Sequence, residues 1–333
     1  MVACLYDCPV VWEKILLNYF ALTGKTFGIL AISISCEKPF MKPGLQRIFR
    51  VISIIFILLC FLSGCAQNSG VEHTNVNESI LPTSSTLQVV DTGWWKPVSG
   101  LSWQIQFDDE LDYDLDVDVI DLDMDVDKSI VDQFQQQGTK VICYISAGSY
   151  EDWRTDAENF PDEILGKKYQ GWPGEKWLDI RRIDLLAPIM QSRMDTCFEK
   201  GFNAVEFDNI DIYQDKSGFP LTYEDQLTYA VWLAEQAHAR GLAAGQKNAS
   251  EQVDDLVDVF DFAIIEDAFY YDWAEDMLPY IEAGKPVFAI EYTDLPGDFD
   301  EFCEQSELLG FSTILKNRNL DAWLETCQKG FVN

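Results

Sequence analysis

Two stretches decide the fold: Gly201-Phe-Asn-Ala-Val-Glu-Phe-Asp-Asn-Ile-Asp211 and Phe262-Ala-Ile-Ile-Glu266. Each contains a short apolar run that ends abruptly in carboxylates, as a buried parallel strand does when it emerges from a core. In parallel barrels the C-terminal strand ends carry the chemistry. Asp208 and Glu266 would then project from two such ends, and two carboxyl groups are the minimum equipment for cleaving a glycosidic bond.

Working outward, runs of strand length recur at residues 103–107, 117–122, 141–146, 204–207, 242–246, 262–265, 287–290 and 313–315. Helical patterns or connectors separate most of them. The clearest helix spans residues 223–240: Thr222 and Asp225 have capping-box spacing, Leu227, Val231 and Ala234 repeat at helical intervals, and Gly241 is a stop. His238 lies on its apolar-leaning face and reads as a packed residue. Strand–helix alternation on this scale predicts a parallel α/β architecture, and eight strands in one domain predict a closed (β/α)8 TIM barrel over residues 93–330.

Upstream, Lys42, Arg47 and Arg50 precede an apolar run from Val51 to Leu62. That run is too short to span a bilayer comfortably and suits the core of an export signal. It ends in Leu62-Ser63-Gly64-Cys65, which resembles the lipobox of bacterial lipoproteins, so Cys65 is the expected lipidation site. An ordinary signal peptide or an anchor helix is the other reading. Residues 41–65 are thus assigned as signal, 1–40 as an upstream extension from a mis-assigned start, and the polar, turn-rich residues 66–92 as a flexible linker.

The chain carries 56 acidic and 24 basic side chains, a formal charge of −32. Such a charge disfavours nucleic acid and anionic membrane surfaces and favours cationic ligands, although salty surroundings would select the same composition. With two histidines in all, His73 and His238, a Ser-His-Asp triad or a histidine zinc site lacks raw material. Cys143, Cys197, Cys303 and Cys327 lack CxxC spacing. Export permits disulfides; Cys303–Cys327 is the favoured pair, with buried free thiols equally compatible.

The alternating acids between Asp112 and Asp127 suggest calcium at first sight. An EF-hand loop needs a glycine at its sixth position, and none occurs between Gly100 and Gly138. A lead-in loop, a strand and a solvated exit account for the pattern better, with Asp121 the acid to keep as functional. No metal and no cofactor is expected.

Polar residues gather at the predicted strand ends: Tyr144 and Ser146; Glu206, Asp208, Asn209 and Asp211; Lys247 and Asn248; Glu266; Glu291 and Tyr292; Lys316 and Asn317. Acids, amides and aromatic rings suit a sugar, whose hydroxyls need acceptors and whose faces stack on rings. Trp153, Trp172, Trp177 and Tyr213 are stacking candidates. Tyr144-Ile-Ser-Ala-Gly-Ser149 with Arg154, Gly171-Trp-Pro-Gly-Glu-Lys-Trp-Leu-Asp179, Glu206-Phe-Asp-Asn-Ile-Asp211, Lys247-Asn248, Glu266 and Glu291-Tyr292, with Trp103-Gln-Ile-Gln106, together resemble glycoside hydrolase family 114, the endo-α-1,4-polygalactosaminidase-like barrels. The resemblance covers roughly residues 93–327.

It implies catalysis by the acids matching Asp208 and Glu266, and an α-1,4-linked, galactosamine-containing polymer as substrate. Partial deacetylation makes such polymers cationic, which suits this charge. Asp121, Tyr144, Glu206, Asn209, Asp211, Lys247, Asn248, Glu291 and Tyr292 are the expected substrate-binding set, and the domain is expected to act as a monomer. Asp208, among amides and a lysine, reads as nucleophile. Glu266, ending the apolar run Phe262-Ala-Ile-Ile265, reads as a proton donor whose pKa desolvation would raise. The roles exchange without conflict, and the carboxylate separation decides between retention and inversion. A non-catalytic carbohydrate-binding lipoprotein on the same barrel is the main alternative; a cation-dependent phosphohydrolase is a third.

Overall fold

The structure is a computed structural model that describes residues 93–327. The export, lipidation and linker assignments, Cys65 among them, lie outside these residues.

Among the described residues twelve strands follow in chain order: β1 (Trp103–Gln106), β2 (Val119–Asp123), β3 (Lys140–Ser146), β4 (Ser149–Glu151), β5 (Leu165–Lys168), β6 (Glu175–Leu178), β7 (Ala204–Asp208), β8 (Ala243–Lys247), β9 (Phe262–Glu266), β10 (Val287–Tyr292), β11 (Ser312–Lys316) and β12 (Glu325–Thr326). Six α-helices lie between them: α1 (Lys128–Gln137), α2 (Ile183–Lys200), α3 (Tyr223–Ala239), α4 (Val253–Leu256), α5 (Leu278–Glu282) and α6 (Phe299–Leu309). Eight strands, in the order β1-β2-β3-β7-β8-β9-β10-β11, run parallel, and β12 adds antiparallel to β11. They correspond to the eight runs expected from sequence, in a curled parallel sheet with TIM-barrel architecture. Residues Thr222 and Asp225 cap α3 reciprocally, as their spacing predicts.

No backbone ladder joins β1 to β11. Side chains close that seam: the Trp103 indole donates to Ser312 O at 2.9 Å, and Lys316 Nζ donates to Gln104 Oε1 at 2.8 Å. Lys316, expected at the rim, is fully buried there, and desolvation lowers its pKa to about 8. At the N-terminal end of the barrel Trp94 stacks on His238, with ring centroids 3.9 Å apart, and both bond to Asp261. His238 is packed, far from any strand C-terminus.

Period-2 alternation divides each barrel strand between two cores. Ala204, Ala243, Phe262, Ile264, Phe288 and Ile290 fill the interior, while Val205, Phe207, Ala244, Ile265 and Ala289 pack under the helices. This phase sends Glu206 and Asp208 inward, along with Lys247 and Glu266.

Two features escaped the sequence reading. A three-stranded antiparallel sheet, β4-β6-β5, is inserted between β3 and α2. A disulfide joins Cys143 on β3 to Cys197 on α2, both fully buried, with Cα atoms 6.1 Å apart. The second disulfide, Cys303–Cys327, is the pair favoured from sequence. Among the described residues no helix is long and apolar enough to cross a membrane.

Candidate active site

Three strand ends converge on one ammonium group. Lys247 Nζ, at the end of β8, lies 3.0 Å from Glu206 Oε1, 3.3 Å from Asp208 Oδ1 and 3.3 Å from Glu266 Oε2. Sharing one nitrogen keeps the Asp208 and Glu266 oxygens within twice 3.3 Å, or about 6.6 Å, of each other. Both carboxyls remain open to solvent, 18% exposed for Asp208 and 27% for Glu266. Desolvation pulls the Lys247 pKa down, but the charges of Asp208, Glu206 and Glu266 outweigh it and hold the amine well above its ordinary value. It is a permanent cation.

Each exposed acid also receives a tyrosine. The Tyr144 hydroxyl donates to Asp208 Oδ2 at 2.8 Å, and the Tyr292 hydroxyl donates to Glu266 Oε1. Burial first, and then the adjacent carboxylate, raises both phenols well above their ordinary value. They therefore stay hydrogen-bond donors across the working pH range. Arg318 lies 3.8 Å over the Tyr292 ring and is itself held by Asp267 and Asp294.

The backbone is bent at each of these ends. Asn209, Asn248 and Asp267 directly follow Asp208, Lys247 and Glu266, and all three have positive φ, at 60°, 46° and 52°. Non-glycine residues reach that region only at a cost, and such strain concentrates at functional sites. Asn209 Nδ2 bonds to Asp208 Oδ2 at 3.1 Å and to Ser146 Oγ at 3.0 Å. Asn248 Oδ1 accepts from the Glu266 amide at 3.0 Å. Gly148 allows the β3 loop to close on this turn, since a Cβ there would stand 1.6 Å from Asn209 O.

The residues expected to bind substrate divide into three groups. Tyr144, Asn209, Asn248 and Tyr292 fix the two exposed acids, and Asp211 is half-buried nearby. Burial and the Asp208 charge push Asp211 up to about 7. Asp121 and Glu206 are fully buried below the mouth, out of reach of a sugar. Glu291 points away from the site, because Ile290 and Tyr292 face the interior and the residue between them faces the helices. Its carboxylate accepts from the amides of Phe269 (2.9 Å) and Tyr270 (3.3 Å), and burial raises it to about 7.

The expected apolar setting of Glu266 is also absent. Phe262 and Ile264 lie below it in the interior and Ile265 lies outside, so its carboxyl meets a hydroxyl and an ammonium instead.

Sequence reading missed Glu175 and Tyr169. Glu175 accepts from Ser149 Oγ, and Ser149 bonds to Ser146 at 2.7 Å, which links the inserted sheet to Asn209 and Asp208. Tyr169 packs against Trp177 with centroids 4.0 Å apart and the rings tilted by 32°; burial, then the charges of Asp208, Asp211 and Glu266, raises its phenol. Glu175 stands inside the Gly171–Asp179 motif, whose conspicuous Trp and Gly residues drew attention from it. The acids Asp123 and Asp125 pair with Arg154, which also holds Glu151. Among the described residues no group of His, Cys, Asp or Glu is arranged to hold a metal ion.

Comparison with known proteins bears on the family and the fold. An uncharacterised protein of Deinococcus radiodurans is 25% identical across 56% of this chain and 66% of its own length. The glycoside hydrolase domain of PelA from Pseudomonas aeruginosa shares the fold at TM-score 0.54, with 17% identity over 68% of this chain and 99% of that domain. Ega3 of Aspergillus fumigatus, solved in complex with galactosamine, superposes at TM-score 0.67, with 36% identity over 71% of this chain and 98% of its own. Residues 84–332 match the model of glycoside-hydrolase family GH114. The chain belongs to that family.

Proposed function

We propose that this protein is an endo-acting hydrolase of α-1,4-linked, galactosamine-containing polysaccharide, working through Asp208 and Glu266 without a metal or organic cofactor. The carrying observation is that both acids, at parallel strand ends, share Lys247 and remain solvent-accessible. The galactosamine in the Ega3 complex supports the substrate class, as does the excess of acidic residues, which favours a cationic polymer.

Asp208 acts as nucleophile. Its oxygens receive three donors, from Lys247, Tyr144 and Asn209, which fix its orientation. Glu266 is the more exposed of the two acids; it protonates the leaving oxygen as Asp208 attacks the anomeric carbon. A glycosyl ester forms and the shortened chain departs. Glu266 then takes a proton from water, which hydrolyses the ester and regenerates both acids. Retention of configuration follows from this sequence and is consistent with two carboxylates close enough to share one lysine; retaining enzymes separate them by about 5–5.5 Å.

The lipobox-like Leu62-Ser-Gly-Cys65 supports export with a lipid anchor at Cys65; the catalytic domain is proposed to act as a monomer. The test is incubation with defined α-1,4-galactosamine oligomers, read by mass spectrometry and by proton NMR of the first-formed anomer. Shorter oligomers of α configuration are expected. Binding without cleavage would instead favour a carbohydrate-binding protein on the same barrel.

A further inference from the structure

Beneath the two exposed acids lies a second carboxyl pair. Asp121 and Glu206 are both fully buried. Neither oxygen of Asp121, nor Oε2 of Glu206, meets an N–H or O–H group of any other residue. These three orphaned oxygens belong to two buried carboxyls that act on each other electrostatically. Ionised carboxyls are acceptors only, so a hydrogen bond that satisfies them mutually requires a proton on one of them.

The surroundings decide which one. Glu206 has Lys247 at 3.0 Å on its other oxygen, which favours its anion. The charged groups around Asp121 are Glu206 on β7, Lys247 on β8 and Asp123 on its own strand. Asp123 is paired with Arg154, 2.6 Å away, and Lys247 is already shared among Glu206, Asp208 and Glu266. Desolvation, then the Glu206 charge, pushes Asp121 well above the usual carboxylate range. A further anion beside this shared ammonium would have no counter-charge of its own.

We propose that Asp121 is a positioning residue: a neutral acid that donates its single proton to Glu206 Oε2, fixing Glu206 so that Oε1 aims Lys247 at Asp208 and Glu266. Asp121 touches no substrate and transfers no proton in turnover. Its effect on catalysis rests on the roles given above to Asp208 and Glu266, but its protonation state does not.

A donor, and not a charge, is what this position then requires. Asp121→Asn supplies an amide N–H in the same place and should keep kcat/KM within about threefold of wild type with an unshifted pH profile, whereas Asp121→Leu leaves Glu206 without its donor and should lose about 10–100-fold, mainly in kcat. The wild-type minus Asp121→Asn infrared difference spectrum at pH 7 should show the carbonyl stretch of a protonated carboxyl, and the same band should persist in the Asp208→Asn background. The proposal is overturned by an ionised-carboxylate band in that difference, or by Asp121→Asn losing as much activity as Asp121→Leu. The infrared result stands even if the protein cleaves no galactosamine polymer, so failure of this inference and failure of the proposed function are told apart.

Discussion

Glu206 and Lys247 meet 3.0 Å apart on adjacent strands beneath the barrel mouth, the acid fully buried and the amine nearly so. The cation that holds Asp208 and Glu266 together is therefore anchored from below, by a residue substrate does not reach.

Lys247→Met should remove the shared cation from all three acids. Losing a preorganised charge of this kind costs about 10²–10³ in kcat, and stranding the Glu206 carboxylate destabilises the fold by about 3–5 kcal/mol. Turnover measured well below the lowered Tm separates the two effects. Activity within a few-fold of wild type would show that Lys247 does not organise the site.

The tyrosine donors are separable. Tyr144→Phe and Tyr292→Phe each delete one hydroxyl to one acid, and each should reduce kcat/KM by about 10–100-fold, the cost of a hydrogen bond to a charged group. Because the two carboxyls they serve share Lys247, the double variant should be non-additive. Wild-type rates in both single variants would contradict the geometry.

The domain should be more stable at pH 5 than at pH 8. Glu175, Asp211 and Glu291 are all raised to about 7, chiefly by burial. A carboxyl raised in the folded state binds protons that the unfolded chain has already released, so stability falls as pH climbs from about 4 through 7. Asp261, lowered to about 2, is ionised in both states by pH 5 and contributes no slope there. Calorimetry should show a Tm lower by at least about 2–4 °C at pH 8; a flat or rising Tm would refute the burial of these groups.

Much of this was legible in the sequence, for identifiable reasons. Strands covered on both faces are dense in Val, Ile, Phe and Ala, so eight of them stand out, and their acids mark the ends of β7 and β9. The same two-sided burial hides which face a side chain takes. In β10 every residue from Val287 to Ile290 is apolar, so nothing local told that Glu291 would face outward and Tyr292 inward. The inserted sheet lacks that density: Lys167, Lys168, Glu175 and Lys176 dominate β5 and β6. The Cys143–Cys197 bridge became visible only once α2 packed on β3.

The two disulfides should respond differently to reductant. Cys303 and Cys327 are half-exposed, whereas Cys143 and Cys197 are fully buried. Native thiol labelling with mild reductant should open Cys303–Cys327 first, with Cys143–Cys197 reduced only on unfolding. Simultaneous labelling of all four would contradict the buried placement.

The most direct measurement compares Asp208→Asn and Glu266→Gln with wild type, quantifying product release from an α-1,4-galactosamine oligomer alongside oligomer binding. Both variants should still bind and should lose at least about 10³-fold in kcat, since neither half of the carboxylate pair substitutes for the other. Turnover close to wild type in either one would show that the two acids held by Lys247 are not the catalytic pair.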